Sequence, residues 1–172
     1  MILQSIHLSA QDNSGLFSWQ KVQKYLQLGS IEEESFLQNT IDSVLAKVAS
    51  ITNISIVPSE WCAIYSLNGR SKYCTLPRRP VLGLVAIRCC ANNKTEEIDL
   101  QNTSLNYDKL SINNNLRSGI LEVNFKAGYT NESMPANLKS EVYEHIRHIY
   151  LNRADDNSFP LERYNCFKTI KI

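Results

Sequence analysis

The 172-residue sequence contains no run approaching the roughly 18 to 20 consecutive apolar residues of a membrane-spanning helix. Its first residues, Met1 to His7, carry neither the basic segment nor the apolar segment of a secretory leader, so a soluble, non-exported chain is expected. Surplus charge is missing too. Eighteen Lys and Arg face 17 Asp and Glu for a formal charge of +1, too little to hold a polyanion by counterion release, which sets aside general nucleic-acid binding. Glycine is scarce, with six residues, and the turns at Asn68-Gly69 and Ser118-Gly119 hold one each, so there is no glycine-rich phosphate cradle. The five cysteines (Cys62, Cys74, Cys89, Cys90, Cys166) are odd in number, irregularly spaced and without a C-x-x-C pair, unlike a secreted disulfide framework and like reduced thiols of a cytosol.

Catalytic signatures are equally thin. His145 and His148 lie three apart on a predicted helix, but a zinc site needs further ligands and the H-E-x-x-H spacing is absent, which leaves them as helix-surface histidines with Glu141 one turn before His145. No cysteine sits at a helix start or beside a basic residue and a glycine elbow, as an activated thiol would. No catalytic, metal or cofactor residue is therefore assigned, and no cofactor or enzymatic activity is expected. Arg78 and Arg79, between two prolines, form the densest basic spot. They read as a solvated turn or as an interface or nucleic-acid-facing contact.

What the sequence does contain is pattern. With 43% hydrophobic and 20% charged residues it suits one medium domain with a sizeable core. Its 17 asparagines, clustered at Asn92-Asn93 and Asn113-Asn114-Asn115, mark turns. Ser18 is a candidate N-cap for a short helix bearing Val22, Tyr25 and Leu26, which Gly29 ends. Ser30-Ile31-Glu32-Glu33 reads as a capping box for a long amphipathic helix with Phe36, Leu37, Ile41, Val44, Leu45 and Val48 on one stripe. From about residue 54 the period becomes two. Strands are predicted over 60–67, 72–76, 81–90, 95–100, 107–112 and 119–127, the first two joined as an antiparallel hairpin by Asn68-Gly69. Pro135 opens a last helix carrying Leu138, Val142, Ile146, Ile149 and Tyr150 to about Arg153, which should pack on the long one. The fold class is α+β: a helical core of short, long and C-terminal helices, with an antiparallel β unit (about 54–130) inserted between the long and C-terminal helices.

Several of these segments match one family in order and spacing. Leu76-Pro77-Arg78-Arg79-Pro80-Val81 resembles the L-P-x-x-P-[VL] segment of the head-tail connector (head-tail adaptor) proteins of long-tailed bacteriophages and prophages. Val123-Asn124-Phe125-Lys126-Ala127-Gly128-Tyr129 resembles their V-x-[FY]-x-A-G-Y strand end. Met134-Pro135-Ala136-Asn137-Leu138-Lys139 is similar to their helix start, and His148-Ile149-Tyr150-Leu151-Asn152-Arg153 to their H-x-Y-x-N-R helix end. The likeness runs over roughly residues 16 to 155, and departs in the N-terminal residues, the longer middle loops and the tail after Arg153.

In physical terms Ala127, Gly128 and Tyr129 end a strand in a sharp turn, Pro135 sets the entry of the last helix, and Tyr150 and Arg153 lie one turn apart near its end. The resemblance implies a connector-like domain over residues 1–155 and a tail over 156–172. It implies a structural virion protein, made in the host bacterial cytoplasm and located at the head–tail interface. There it forms a homo-oligomeric ring, usually dodecameric, between the portal protein and a stopper or tail-completion protein, with DNA only passing through the channel. The apolar tail residues Phe159, Leu161, Tyr164 and Phe167 are then candidates for portal docking, and Arg78 and Arg79 for an interface or the channel. The other reading is a stand-alone cytosolic module whose β unit binds a small ligand or peptide.

Overall fold

The structure, a computed structural model, describes residues 1–11, 15–29, 34–68, 72–91, 94–113, 118–153 and 158–168. The fold class is α+β, and the chain divides into two compact units, each built from two segments: Met1–Asp12 with Val57–Gly128, and Asn13–Ile56 with Tyr129–Ile172.

Apart from a 3-10 turn at Leu100–Asn102, the regular structure described in the first unit is strand. β1 (Ile2–Gln11), β2 (Ser59–Leu67), β3 (Tyr73–Thr75), β4 (Val81–Ala91), β5 (Lys94–Glu97), β6 (Thr103–Asn106), β7 (Lys109–Ile112) and β8 (Gly119–Ala127) form two antiparallel sheets, ordered β1-β2-β8-β4-β5 and β3-β7-β6. Side chains alternate across a strand, so Leu121, Val123, Phe125 and Ala127 of β8 are buried while Glu122, Asn124 and Lys126 take the other face. Ala63, Tyr65 and Leu67 of β2 and Ile87 and Cys89 of β4 join them in one core with Cys74, Leu76, Leu110 and Ile112. The Tyr65 hydroxyl, carried into that core, donates to the Thr75 carbonyl at 2.8 Å. On the polar face, Lys126 pairs with Glu60 at 3.1 Å and Arg88 with Glu122 at 3.6 Å across neighbouring strands.

The predicted hairpin between β2 and β3 does not form. Both edges of β2 are occupied, by β1 over Ile2–Gln11 and by β8 along its whole length, and β3 pairs β7 in the other sheet. β1 lies outside the predicted strands, and its presence means that the β unit is completed from the N-terminal segment rather than only inserted between helices. Two register shifts, between Leu3 and Ser5 and between Leu8 and Ala10, break the alternation by which a strand is recognised. The strand expected over 107–112 is preceded by another, and β6 and β7 turn on Tyr107 in a left-handed conformation (φ 57°).

The second unit holds α1 (Trp19–Leu26), α2 (Glu34–Thr52), α3 (Ala136–Asn152) and a 3-10 segment, Leu161–Phe167. Ser18 occupies the N-cap of α1, and Gln27 rather than Gly29 takes the left-handed position that ends it (φ 56°). The capping box at 30–33 lies outside the described residues. Leu37, Ile41, Val44 and Leu45 of α2 and Leu138, Val142, Ile146 and Ile149 of α3 are all buried where the two helices pack, as their spacing predicts. Leu45→Ala is therefore expected to cost about 2 to 5 kcal/mol. Urea denaturation measures it, and a loss below about 0.5 kcal/mol, the behaviour of a surface site, would contradict this packing.

Candidate functional site

The family-like motif residues sit where local chemistry leaves little choice. Ala127 ends β8 opposite Ser59 of β2 and Val81 of β4, with no exposed surface. Gly128 follows at φ +134°, and its amide donates to the Pro80 carbonyl at 2.8 Å. A Cβ there would stand 2.2 Å from the Val57 carbonyl oxygen. Tyr129 is half-buried, and the loss of water raises its hydroxyl pKa. Pro135 lies at the N-cap of α3 rather than at its first helical position, which Ala136 takes, and its carbonyl accepts from the Lys139 amide at 3.0 Å.

At the other end of α3, Arg153 takes the left-handed C-cap (φ 48°) and lays its guanidinium 4.3 Å over the Phe36 ring of α2. Tyr150 meets the same ring at a centroid distance of 5.7 Å. The Tyr-x-Asn-Arg motif thus clamps α3 to α2 by ring contact and cation–π attraction.

The tail is built into this unit. Phe159 and Tyr164, two of the four residues expected to dock on a portal, are 4% and 0% exposed. Phe159 stacks on His145 of α3 with ring centroids 4.1 Å apart. The Tyr164 hydroxyl donates to the Glu141 carbonyl at 3.2 Å, which leaves its oxygen to accept from Nδ1 of His145 at 3.1 Å. Arg163 closes the contact on Glu141, at 2.7 and 2.9 Å from its two carboxylate oxygens. Glu141 is thereby drawn to the tail rather than to His145. Leu161 and Phe167 are only partly buried.

His145 corrects the sequence reading most sharply. It is no surface histidine but a fully buried ring, whereas His148 is half-buried and bonds Ser158 at 2.9 Å. Spacing alone could not show this, because the aromatic residues that enclose His145 come from a segment without helical period.

The basic turn is likewise engaged. Arg79 pairs with Asp108, and the Arg78 guanidinium lies 4.7 Å over the Trp61 ring. The buried thiol of Cys74 is pushed up to about 11 by loss of water, and those of Cys62 and Cys89 are raised for the same reason, which lowers their thiolate fraction at neutral pH. Among the described residues no three His, Cys, Asp or Glu converge on a metal position, and no helix is long and apolar enough to cross a membrane.

The fold itself is the feature that finds a likeness. The chain superposes on a chain from the neck of an empty gene transfer agent particle computed with C6 symmetry, at a TM-score of 0.77 and 16% identity over 98% of this chain and 97% of that one. The same identity accompanies a chain of the native gene transfer agent virion, at 0.76 over 98% and 97%. The chain has the fold of a gene transfer agent neck chain. A third likeness, to a chain in the neck of the native particle computed with C12 symmetry, gives 0.72 at 16% identity over 100% of this chain and 97% of that one. No family model and no curated protein matches the sequence. Fold is therefore the level at which the likeness holds.

Proposed function

We propose that the chain is a head–tail connector, a structural virion protein that assembles as a ring in a particle neck between portal and stopper or tail and extends the DNA channel. The observation that carries this reading is the near-complete fold likeness to chains of particle necks computed with C6 and C12 symmetry. A connector needs rigidity and surfaces rather than reactive groups, and the motif residues Gly128, Pro135, Tyr150 and Arg153 serve the packing of the chain. A charge of +1 suits a wall along which DNA passes without being held. Portal docking by the tail falls to Leu161 and Phe167, whose side chains keep some exposed surface.

The ligand-binding alternative has weaker support. A hollow of about 290 Å³ lies beside α3 in the second unit, lined by Glu144, Arg147, His148, Leu151, Phe159 and Arg163, rather than in the β unit that this alternative would use, and its lining is charged, whereas ligand pockets are mostly apolar. The deciding experiment is to coexpress the chain with the portal protein of the same genome and image the product by electron microscopy. A ring of this chain coaxial with the portal is expected. Portal rings that stay bare at saturating chain would remove the assignment.

A further inference from the structure

The larger sheet of the first unit has two open edges that share an uncommon composition. β1 pairs only with β2, so its outer edge has no strand partner among the described residues. Over Ile2–Gln11 it holds no Lys, Arg, Asp, Glu or Pro, and Ile2, Leu3 and Leu8 are 69%, 40% and 47% exposed. At the opposite side, β5 covers β4 only from Arg88 to Ala91, and the Ile98 amide adds one bond to the Ile87 carbonyl. Val81 to Ala86 of β4 are left without a strand on that side among the described residues, and this stretch is also uncharged. β5 itself, by contrast, reads Lys-Thr-Glu-Glu and is exposed throughout. Proteins ordinarily guard open edges with charges, proline or bulges; charge guards β5, whereas the two apolar stretches have bulges but neither charge nor proline.

The β4 stretch is shaped as well as bare. Its ladder with β8 slips twice, between Val81 and Gly83 and between Leu84 and Ala86, and the two skipped residues are Leu82 and Val85. Each is 45% exposed. A bulge re-aims the extra side chain out of the regular pleat, so the fold interrupts its own pairing twice and turns an apolar residue outward each time.

Strand direction makes the two edges compatible. β1 runs antiparallel to β2, β2 to β8 and β8 to β4, so β1 and β4 point in opposite directions. A second copy placed head to tail, with its strands in the same orientation, brings its β1 alongside β4 as an antiparallel neighbour. It would enter the row that β5 leaves open beyond Ile98. Such an interface uses two different patches of one chain, which is the heterologous arrangement that closes into rings.

We propose that the outer edge of β1 in one copy docks on the Val81–Ala86 edge of β4 in the next, setting Leu3 and Leu8 against Leu82 and Val85 and continuing the sheet from subunit to subunit. The partner is a second copy of this chain, and its closure into a ring rests on the neck reading above.

The test is sedimentation of the full chain over a concentration series, with negative-stain imaging of the associated fraction. Concentration-dependent assembly is expected, and Leu8→Lys or Val85→Lys alone should weaken it about tenfold or more by placing a charge on an apolar edge. Combining Leu8→Lys with Val85→Glu in one chain should restore most of the association, whereas Leu8→Lys with Val85→Lys should not. Since both sites are exposed, unchanged melting temperatures show that the variants fold. A chain that stays monomeric at every concentration overturns the edge pairing, as does assembly indifferent to either single variant or equal rescue by both double variants. The neck reading is judged separately by the portal experiment: rings on the portal with silent edge variants would remove this interface and leave that reading standing.

Discussion

Gly128→Ala should destabilise the protein by about 2 to 6 kcal/mol, because backbone strain and overpacking, each worth about 1 to 3 kcal/mol, act at the same atom. The residue sits at φ +134°, a region that L side chains rarely enter. An added Cβ would lie 2.2 Å from the Val57 carbonyl oxygen, 2.5 Å from its carbon and 2.8 Å from the Pro58 Cα. All three obstacles are main chain just before β2, so no rotamer change relieves them. The amide cannot move away either without losing its bond to the Pro80 carbonyl. Urea denaturation followed by circular dichroism measures the loss. Gly83→Ala, where an added Cβ meets nothing within 4 Å, is the control and should stay within about 0.5 kcal/mol of the parent. Equal stability of the two variants would show that the turn after β8 tolerates a side chain, and that Ala-Gly-Tyr does not derive from this crowding.

Tyr164→Ala is expected to cost about 3 to 5 kcal/mol, the range for deleting a fully buried aromatic. The ring has no exposed surface, and its hydroxyl links the tail to both the Glu141 carbonyl and His145. Tyr164→Phe separates the two contributions. It keeps the ring but removes the hydroxyl that meets the Glu141 carbonyl and Nδ1 of His145, a loss that should cost about 1 to 3 kcal/mol. If Tyr164→Ala melts with the parent protein, the tail is not part of the second unit's core, and its aromatic residues are available to a partner after all. A large loss instead confines portal docking to what Leu161 and Phe167 still expose, which Leu161→Ala and Phe167→Ala can test by portal binding at unchanged stability.

These two sites divide sharply in how far the sequence exposes them. The turn at Gly128 is legible because a strand that alternates cleanly through Phe125 and Ala127 stops at a residue without a side chain and a proline-led helix follows, although the crowding by Val57 and Pro58 that bars a side chain there is tertiary. Tyr164 is not legible in that way. The segment around it forms a 3-10 turn whose few residues leave no amphipathic stripe, and its apolar content reads equally as self-packing or as a free docking segment. Only the position of His145, stacked on Phe159 and bonded to Tyr164, decides between them, and that meeting joins residues 14 to 19 positions apart.

By itself the sequence determined the α+β class, the register of α2 and α3, the faces of β8 and the turn at Gly128, since each depends on spacing within a single element. Tertiary structure alone decided that β2 lies between β1 and β8 rather than in a hairpin with β3, because strand partners are chosen by whole-sheet pairing and two bulges hide β1 from any alternation. It also decided that Arg78 and Arg79 meet Trp61 and Asp108, and that His145 is a core residue. In each case the deciding contact is with a residue distant in sequence, whose desolvation and pairing no local pattern can encode.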